Sequence, residues 1–346
     1  MVKFGSIIKK VLFGLSYGLI LTAGIFIGNK LSQSKTSSII TDIPKIIEKP
    51  LEKYSIDNLK NKEIKRGSLV IGTKFDNDND KLDAYIFKFS FSPDPASNKT
   101  KSTTGQINIP IDAKESPRPI IILIRGFVNQ EIYTTGAGTK NAAMYFAENG
   151  YITVAPDFLG YGNSDSESGD IFESRFQTYT TILSLLKSLS DIKEWDGETL
   201  YLWGHSNGGQ IAITVLEITG KDYPTTLWAP VSKPFPYSIL YYTDESSDKG
   251  KLIRQELAKF ENLYDAENYS LDNYLTYINA PLQIHQGTGD NAVPLSWSNN
   301  LVNKLRDLDK DITYYTYTGA DHNLKPSWDS VVERDVTFFQ SHRDNI

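Results

Sequence analysis

Gly204-His205-Ser206-Asn207-Gly208-Gly209 follows the apolar run Leu200-Tyr201-Leu202-Trp203 and leads into a second apolar stretch at 211–218. Strand, sharp turn and helix in that order give the pattern Gly-x-Ser-x-Gly a physical meaning. The turn forces its central residue into strained backbone geometry and lifts the Ser206 hydroxyl clear of the sheet. The helix that follows aims its amino end at that hydroxyl, so the Asn207 amide faces a developing oxyanion. A serine hydroxyl is a poor nucleophile until a base takes its proton, and the chain holds 4 histidines. His205 lies inside the turn and is expected to point into the sheet, His285 lies within an apolar strand, and His342 lies in the tail. His322 remains as the base, in Thr318-Gly319-Ala320-Asp321-His322-Asn323 just past a strand. The imidazole needs a carboxylate to orient it, and Asp290 ends Gln286-Gly287-Thr288-Gly289-Asp290 after another strand. Asp321 adjoins His322 and can hardly swing round to its ring. Ser206, His322 and Asp290 together spell nucleophilic acyl transfer, a chemistry that needs no cofactor.

The elements that must position these residues are legible in the hydropathy pattern. Residues 68–73, 85–91 and 105–111 alternate apolar and polar side chains, as half-buried antiparallel strands do. The pattern then changes to Ile120-Ile121-Ile122-Leu123-Ile124, a continuous run suited to a strand buried on both faces. Further short strands are expected at 151–155, 200–203, 225–228, 282–285 and 313–317. Helices are expected at 172–189, 210–218, 296–308 and 328–339, where apolar residues recur at three and four spacing, as at Trp297, Leu301, Leu305 and Leu308. This alternation implies an α/β fold with a mostly parallel sheet covered on both faces, whose ligands gather at the carboxyl ends of the strands. Residues 231–280 break the rhythm and are expected to form a cap insertion. Its aromatics Phe235, Tyr237, Tyr241 and Tyr242 either line an apolar substrate pocket, with Tyr237 as the candidate contact, or seal the cap to the domain beneath.

Residues from about 105 to 340 resemble the catalytic domain of the α/β-hydrolase superfamily, and within it the prolyl oligopeptidase (S9) family. The resemblance rests on the Ser206 turn, on Gly287-Thr288-Gly289-Asp290-Asn291-Ala292-Val293-Pro294 and on Gly319-Ala320-Asp321-His322, together with Pro156-Asp157-Phe158-Leu159-Gly160-Tyr161-Gly162-Asn163-Ser164. Ser, Asp, His is the chain order of that superfamily. The resemblance implies the amides of Phe127 and Asn207 as oxyanion donors, and a serine peptidase acting on short peptides. A carboxylesterase acting on small or polysaccharide-linked esters is the alternative, and a non-catalytic scaffold on a hydrolase fold is a third reading. Where hydrolases usually carry His-Gly, this chain has Arg125-Gly126-Phe127. Arg125 either binds a substrate carboxylate or pairs with an internal acid such as Asp157. The many-bladed propeller of the large S9 peptidases has no room ahead of residue 105, which removes their usual size filter.

The rest of the chain narrows the setting. Lys plus Arg number 36 against 42 Asp plus Glu, a formal charge of −6 over 346 residues, so no basic field gathers nucleic acid. With Cys 0, disulfides, thiolate nucleophiles and Cys-ligated zinc are excluded. No histidine pair at metal spacing and no phosphate-binding glycine loop occurs, and Asp76 to Asp80 resemble a calcium loop in composition only. No charged side chain interrupts residues 11–29, which at about 1.5 Å per residue reach roughly 28 Å, enough for a bilayer's hydrocarbon core. Residues 1–29 are therefore expected to form a single-pass membrane anchor with the body outside the cytoplasm, the alternative being a cleaved signal and a secreted protein. Residues 30–66, rich in Lys, Ser, Asn and Glu, are expected to be a stalk, and residues 67–346 the hydrolase domain.

Overall fold

The computed structural model describes residues 48–75 and 79–343. The expected anchor at 1–29, the first part of the expected stalk and most of the Asp76 to Asp80 turn lie outside the described residues. Among the described residues no helix is long and apolar enough to cross a membrane.

Among the described residues nine strands form one sheet: β1 (Ser68–Lys74), β2 (Leu82–Phe91), β3 (Lys101–Pro110), β4 (Arg118–Ile124), β5 (Ile152–Pro156), β6 (Trp195–His205), β7 (Thr225–Trp228), β8 (Leu282–Gly287) and β9 (Ile312–Tyr317). Their spatial order is β1-β2-β3-β5-β4-β6-β7-β8-β9. The first three run antiparallel to their neighbours, and from β5 onward every pairing is parallel. The side chains explain the division. Strand β1 buries only one of its two faces, while Ile120 to Ile124 of β4 are wholly buried, a burial that parallel strands sandwiched between helices require.

Eight helices accompany the sheet among the described residues: α1 (Ile56–Lys60), α2 (Lys140–Glu148), α3 (Ile171–Leu186), α4 (Asn207–Thr219), α5 (Tyr237–Tyr241), α6 (Lys251–Leu263), α7 (Leu295–Asp307) and α8 (Trp328–Ser341). One face of the sheet packs against α2 and α8, through Ala142, Ala143, Phe146, Val332 and Phe339. The other carries a larger core that joins α1, α3, α4 and α7 to the helical segment between β7 and β8. Helix α2 does not stand out in the sequence because alanines supply most of its buried face, a weak hydropathy signal for a fully packed helix. In the β7–β8 segment Phe235 is buried against Phe172, Phe176, Phe260 and Tyr269, so this aromatic seals the segment to the body.

Residues 49–66 are a correction to the expected stalk. They belong to the same compact unit as the sheet, with Leu51, Tyr54, Ile56, Leu59 and Ile64 all buried in its core. The Leu51 amide donates to Tyr264 Oη at 2.9 Å, and Tyr269 Oη donates back to the Leu51 carbonyl at 3.1 Å. Lysine, asparagine and glutamate between these anchors face solvent, which dilutes the apolar signal along the sequence. Burial of such side chains is worth about 1.5–3 kcal/mol each. Removing residues 1–66 is therefore expected to give a thermal midpoint about 10 °C or more below that left by removing 1–48, as read by calorimetry. Equal midpoints for the two truncations would contradict this packing.

Candidate active site

The loops after β4, β6, β8 and β9 meet at the carboxyl edge of the sheet. Ser206, between β6 and α4, adopts φ 56° and ψ −121°, a backbone region that costs a non-glycine residue about 1–3 kcal/mol. Its amide donates to the Trp228 carbonyl at 2.9 Å, and its carbonyl accepts from Gly209 and Val231, each at 3.0 Å. Close packing holds the conformation. A Cβ on Gly208 would stand 1.8 Å from the Ile124 carbonyl oxygen, and one on Gly126 would stand 2.9 Å from Ser206 Cβ. The chain after β4 thus runs directly over the serine. The amides of Phe127 and Asn207 donate to no protein acceptor among the described residues, which leaves both N–H groups available to a ligand.

Asp290 and His322 lie on the loops after β8 and β9. His322 Nδ1 donates to Asp290 Oδ2 at 2.8 Å, with the carboxylate wholly buried and the imidazole partly open to solvent. Asp290 Oδ2 also accepts from Gln286 Nε2 at 3.0 Å, and Oδ1 accepts from the amides of Ala292 and Val293 at 2.8 Å each. Burial pushes the Asp290 carboxyl up. The hydrogen bonds from His322 and the Val293 and Ala292 amides outweigh it and hold the group below the usual range, so it is ionised at neutral pH. No hydrogen bond joins Ser206 Oγ to His322 among the described residues; such contacts commonly tighten only when substrate arrives.

Each of the other histidines has a different task. His285 is fully buried, with Nε2 2.9 Å from Asp335 Oδ1 and Nδ1 2.8 Å from Tyr317 Oη. Trp228 Nε1 donates to the same Asp335 carboxylate at 2.8 Å, so this second, fully buried His–Asp pair ties the sheet to α8. His342 Nδ1 lies 2.8 Å from the Phe338 carbonyl at the end of α8.

His205 is more informative. Burial and the neighbouring His322 push its pKa down to about 4, leaving it neutral at physiological pH. Its Nε2 lies 3.0 Å from the His322 carbonyl oxygen, an acceptor only, so Nε2 carries the proton and donates. The two rings lie 4.7 Å apart. The residue before the serine therefore holds the histidine loop in place, a contact the sequence does not disclose. Gln286 is the other support that sequence reasoning misses: it reaches Asp290 while its own oxygen accepts from Ser298 Oγ at 2.7 Å.

Beside the serine lies a cleft of about 200 Å³, whose walls include Arg125, Phe127, Tyr161, Arg175, Asn207 and Ile211. Arg125 does not pair with the Asp157 carboxylate; it donates to the Asp157 main-chain carbonyl at 2.7 Å and stacks 3.8 Å from the Tyr161 ring. The Asp157 carboxylate is engaged by Thr104, Tyr133 and Thr135. Phe127 is 79% exposed at the mouth. Tyr237 is also exposed and does not line this cleft. Among the described residues no cluster of His, Asp and Glu could hold a metal ion.

A parallel sheet with antiparallel leading strands, a strained serine turn and a histidine bonded to a buried carboxylate at its carboxyl edge define an α/β-hydrolase. The model of the prolyl oligopeptidase family matches residues 138–344, and the chain belongs to that family of serine hydrolases. Over 216 residues it is 22% identical to the "Uncharacterized peptidase YtmA" of Bacillus subtilis (strain 168), covering 61% of this chain and 80% of that protein. Among solved structures, acetyl xylan esterase 1 from Thermoanaerobacterium sp. JW/SL YS485 superposes with a TM-score of 0.61 at 12% identity, covering 83% of this chain and 94% of that one. The acylaminoacyl peptidase of Pyrococcus horikoshii superposes with a TM-score of 0.54 at 16% identity, over 81% of this chain and 50% of that one. At these identities both likenesses speak for the fold.

The geometry separates two neighbouring acids. Asp321 Oδ1 accepts from the amides of Asn323 and Lys325, each at 2.9 Å, so it shapes the loop and does not touch the imidazole. Asp290→Asn is expected to lower kcat by about 10⁴-fold, through the wrong imidazole tautomer, while Asp321→Asn lowers it less than about tenfold. Steady-state kinetics of the two variants checks this, and the reverse ranking would overturn the placement of Asp290.

Proposed function

We propose that the chain cleaves short peptides through an acyl-enzyme formed on Ser206, with His322 as general base and acid and Asp290 as the carboxylate that orients it. The observation that carries this reading is the convergence of the strained Ser206 turn and the Asp290–His322 hydrogen bond on one sheet edge. Ser206 Oγ attacks the scissile carbonyl carbon as His322 Nε2 takes the hydroxyl proton. The carbonyl oxygen becomes an oxyanion held by the Phe127 and Asn207 amides, each donor worth about 3–4 kcal/mol of transition-state stabilisation. Collapse of this intermediate breaks the bond to the leaving amine, which receives the proton from His322. Water then repeats the sequence on the acyl-enzyme, releasing the acid and restoring the Ser206 hydroxyl.

Family membership supports the peptide reading. A second reading, hydrolysis of carboxylic esters, is supported by the fuller coverage of an acetyl xylan esterase than of an acylaminoacyl peptidase, 94% of the one chain against 50% of the other. Rates on short-peptide p-nitroanilides and on 4-nitrophenyl acetate separate the two. The peptide reading expects the larger kcat/KM on the anilides, and the opposite order would favour the ester reading. For both substrates Ser206→Ala is expected to lower kcat by at least about 10³-fold with little change in thermal midpoint. Turnover that survives this substitution would remove Ser206 from its role.

A further inference from the structure

The cleft beside the oxyanion amides carries two guanidinium groups that, among the described residues, no carboxylate neutralises by direct contact. Arg125, on the loop after β4, is 5% exposed; it donates to the main-chain carbonyls of Gly126 and Asp157, and its Nε has no partner. Arg175, on α3, donates to Asn207 Oδ1 at 3.4 Å and to Gln210 Oε1, and its Nε likewise has none. Arg125 gives two of its five N–H donors to main-chain carbonyls and also meets the Tyr133 hydroxyl, and Arg175 gives two of its five to side-chain amides, so all of these partners are uncharged. The nearby acids are occupied elsewhere. Glu167 in the cleft wall accepts from Gln130 Nε2 and Ser174 Oγ. Asp157 accepts from three hydroxyls and the Gly136 amide. Guanidinium forks with spare donors in a partly dry cleft match a carboxylate, which takes two parallel N–H bonds.

The cleft's place relative to the reacting groups decides which part of the substrate it receives. Asn207, whose amide faces the oxyanion, lines it, whereas His322, which must reach the leaving group, does not. The cleft therefore adjoins the acyl side of the scissile bond. We propose that Arg125 and Arg175 form an anion subsite for a carboxylate on the substrate's acyl portion: an aspartyl or glutamyl residue on the acyl side of a peptide bond, or a dicarboxylic acid bound as a half-ester. This subsite rests on the hydrolase reading above and narrows its substrate class.

Paired substrates test it. N-acetyl-glutamyl p-nitroanilide is compared with its neutral isostere, N-acetyl-glutaminyl p-nitroanilide, and the 4-nitrophenyl half-ester of adipic acid with the same ester capped by methyl. The expected result is a kcat/KM ratio of about tenfold or more in favour of the acidic member of at least one pair, and the pair that shows it distinguishes peptide from ester. In Arg175→Gln that ratio is expected to fall toward unity. Because Arg125 is buried and its substitution endangers folding, the wild-type ratios themselves also decide the matter. Ratios at or below unity in both pairs, with Ser206 still reactive toward a fluorophosphonate, would overturn the anion subsite and leave the hydrolase reading standing. A Ser206 that no fluorophosphonate labels would overturn the hydrolase reading, and the subsite with it. A wild-type preference that Arg175→Gln leaves intact would exclude Arg175 and so overturn the two-arginine subsite.

Discussion

A serine held at φ 56° and ψ −121° is the constraint on which the rest of the structure depends. That conformation is unfavourable in isolation and persists only where the surroundings over-determine it. Here β6 delivers the chain, α4 carries it away, and the Ser206 amide and carbonyl are each tied to neighbouring backbone. The close approach of Gly208 to the end of β4 fixes the distance between helix and sheet. Buried helix and buried strand thus convert packing energy into the position of one hydroxyl, and the same crossing leaves the Phe127 and Asn207 amides without acceptors among the described residues.

Charge placement follows from this packing. Asp290 keeps its charge although buried, because His322, Gln286 and two backbone amides satisfy the carboxylate from every side. His205 loses its charge because burial and the neighbouring His322 outweigh the pull of Asp290 and Asp321, and in its neutral form it anchors the His322 backbone. Of the two neighbouring histidines, His322 bonds the Asp290 carboxylate and His205 bonds the His322 backbone. An ionised His205 would repel an imidazolium at His322, the form that the proposed acyl transfer requires of it. The separate His285–Asp335 pair, sealed in the core by Trp228, Gln283 and Tyr317, shows that a His–Asp bond alone does not make a catalytic centre. Both of its side chains are wholly shut off from solvent, whereas the imidazole of His322 is partly open to it.

Much of the frame was legible along the chain, for reasons that particular residues make plain. Strand β4 announces itself as five consecutive β-branched or leucine residues, and the Ser206 turn is a local motif whose meaning depends only on its flanks. Elimination among so few histidines isolates His322, since the other three lie in elements that can be read separately. What stayed hidden depends on contacts between distant segments. Residues 49–66 look polar because their buried side chains are spaced among lysines and asparagines, and helix α2 looks weak because alanine carries its buried face. Arg125 was open between two partners, and the structure supplies a third, the Asp157 main-chain carbonyl. The roles of His205 and Gln286 lie in hydrogen bonds to residues far along the chain or at the far side of a loop, which no spacing rule encodes.

The central claim is that the strained turn makes Ser206 the one activated nucleophile. Reaction of the folded wild-type protein with diisopropyl fluorophosphate, followed by peptide mass spectrometry, measures this most directly. The account predicts a single stoichiometric adduct on the Ser206 hydroxyl, formed by the native protein and not by the urea-unfolded chain. An adduct on another serine, or none in the folded protein, would contradict it.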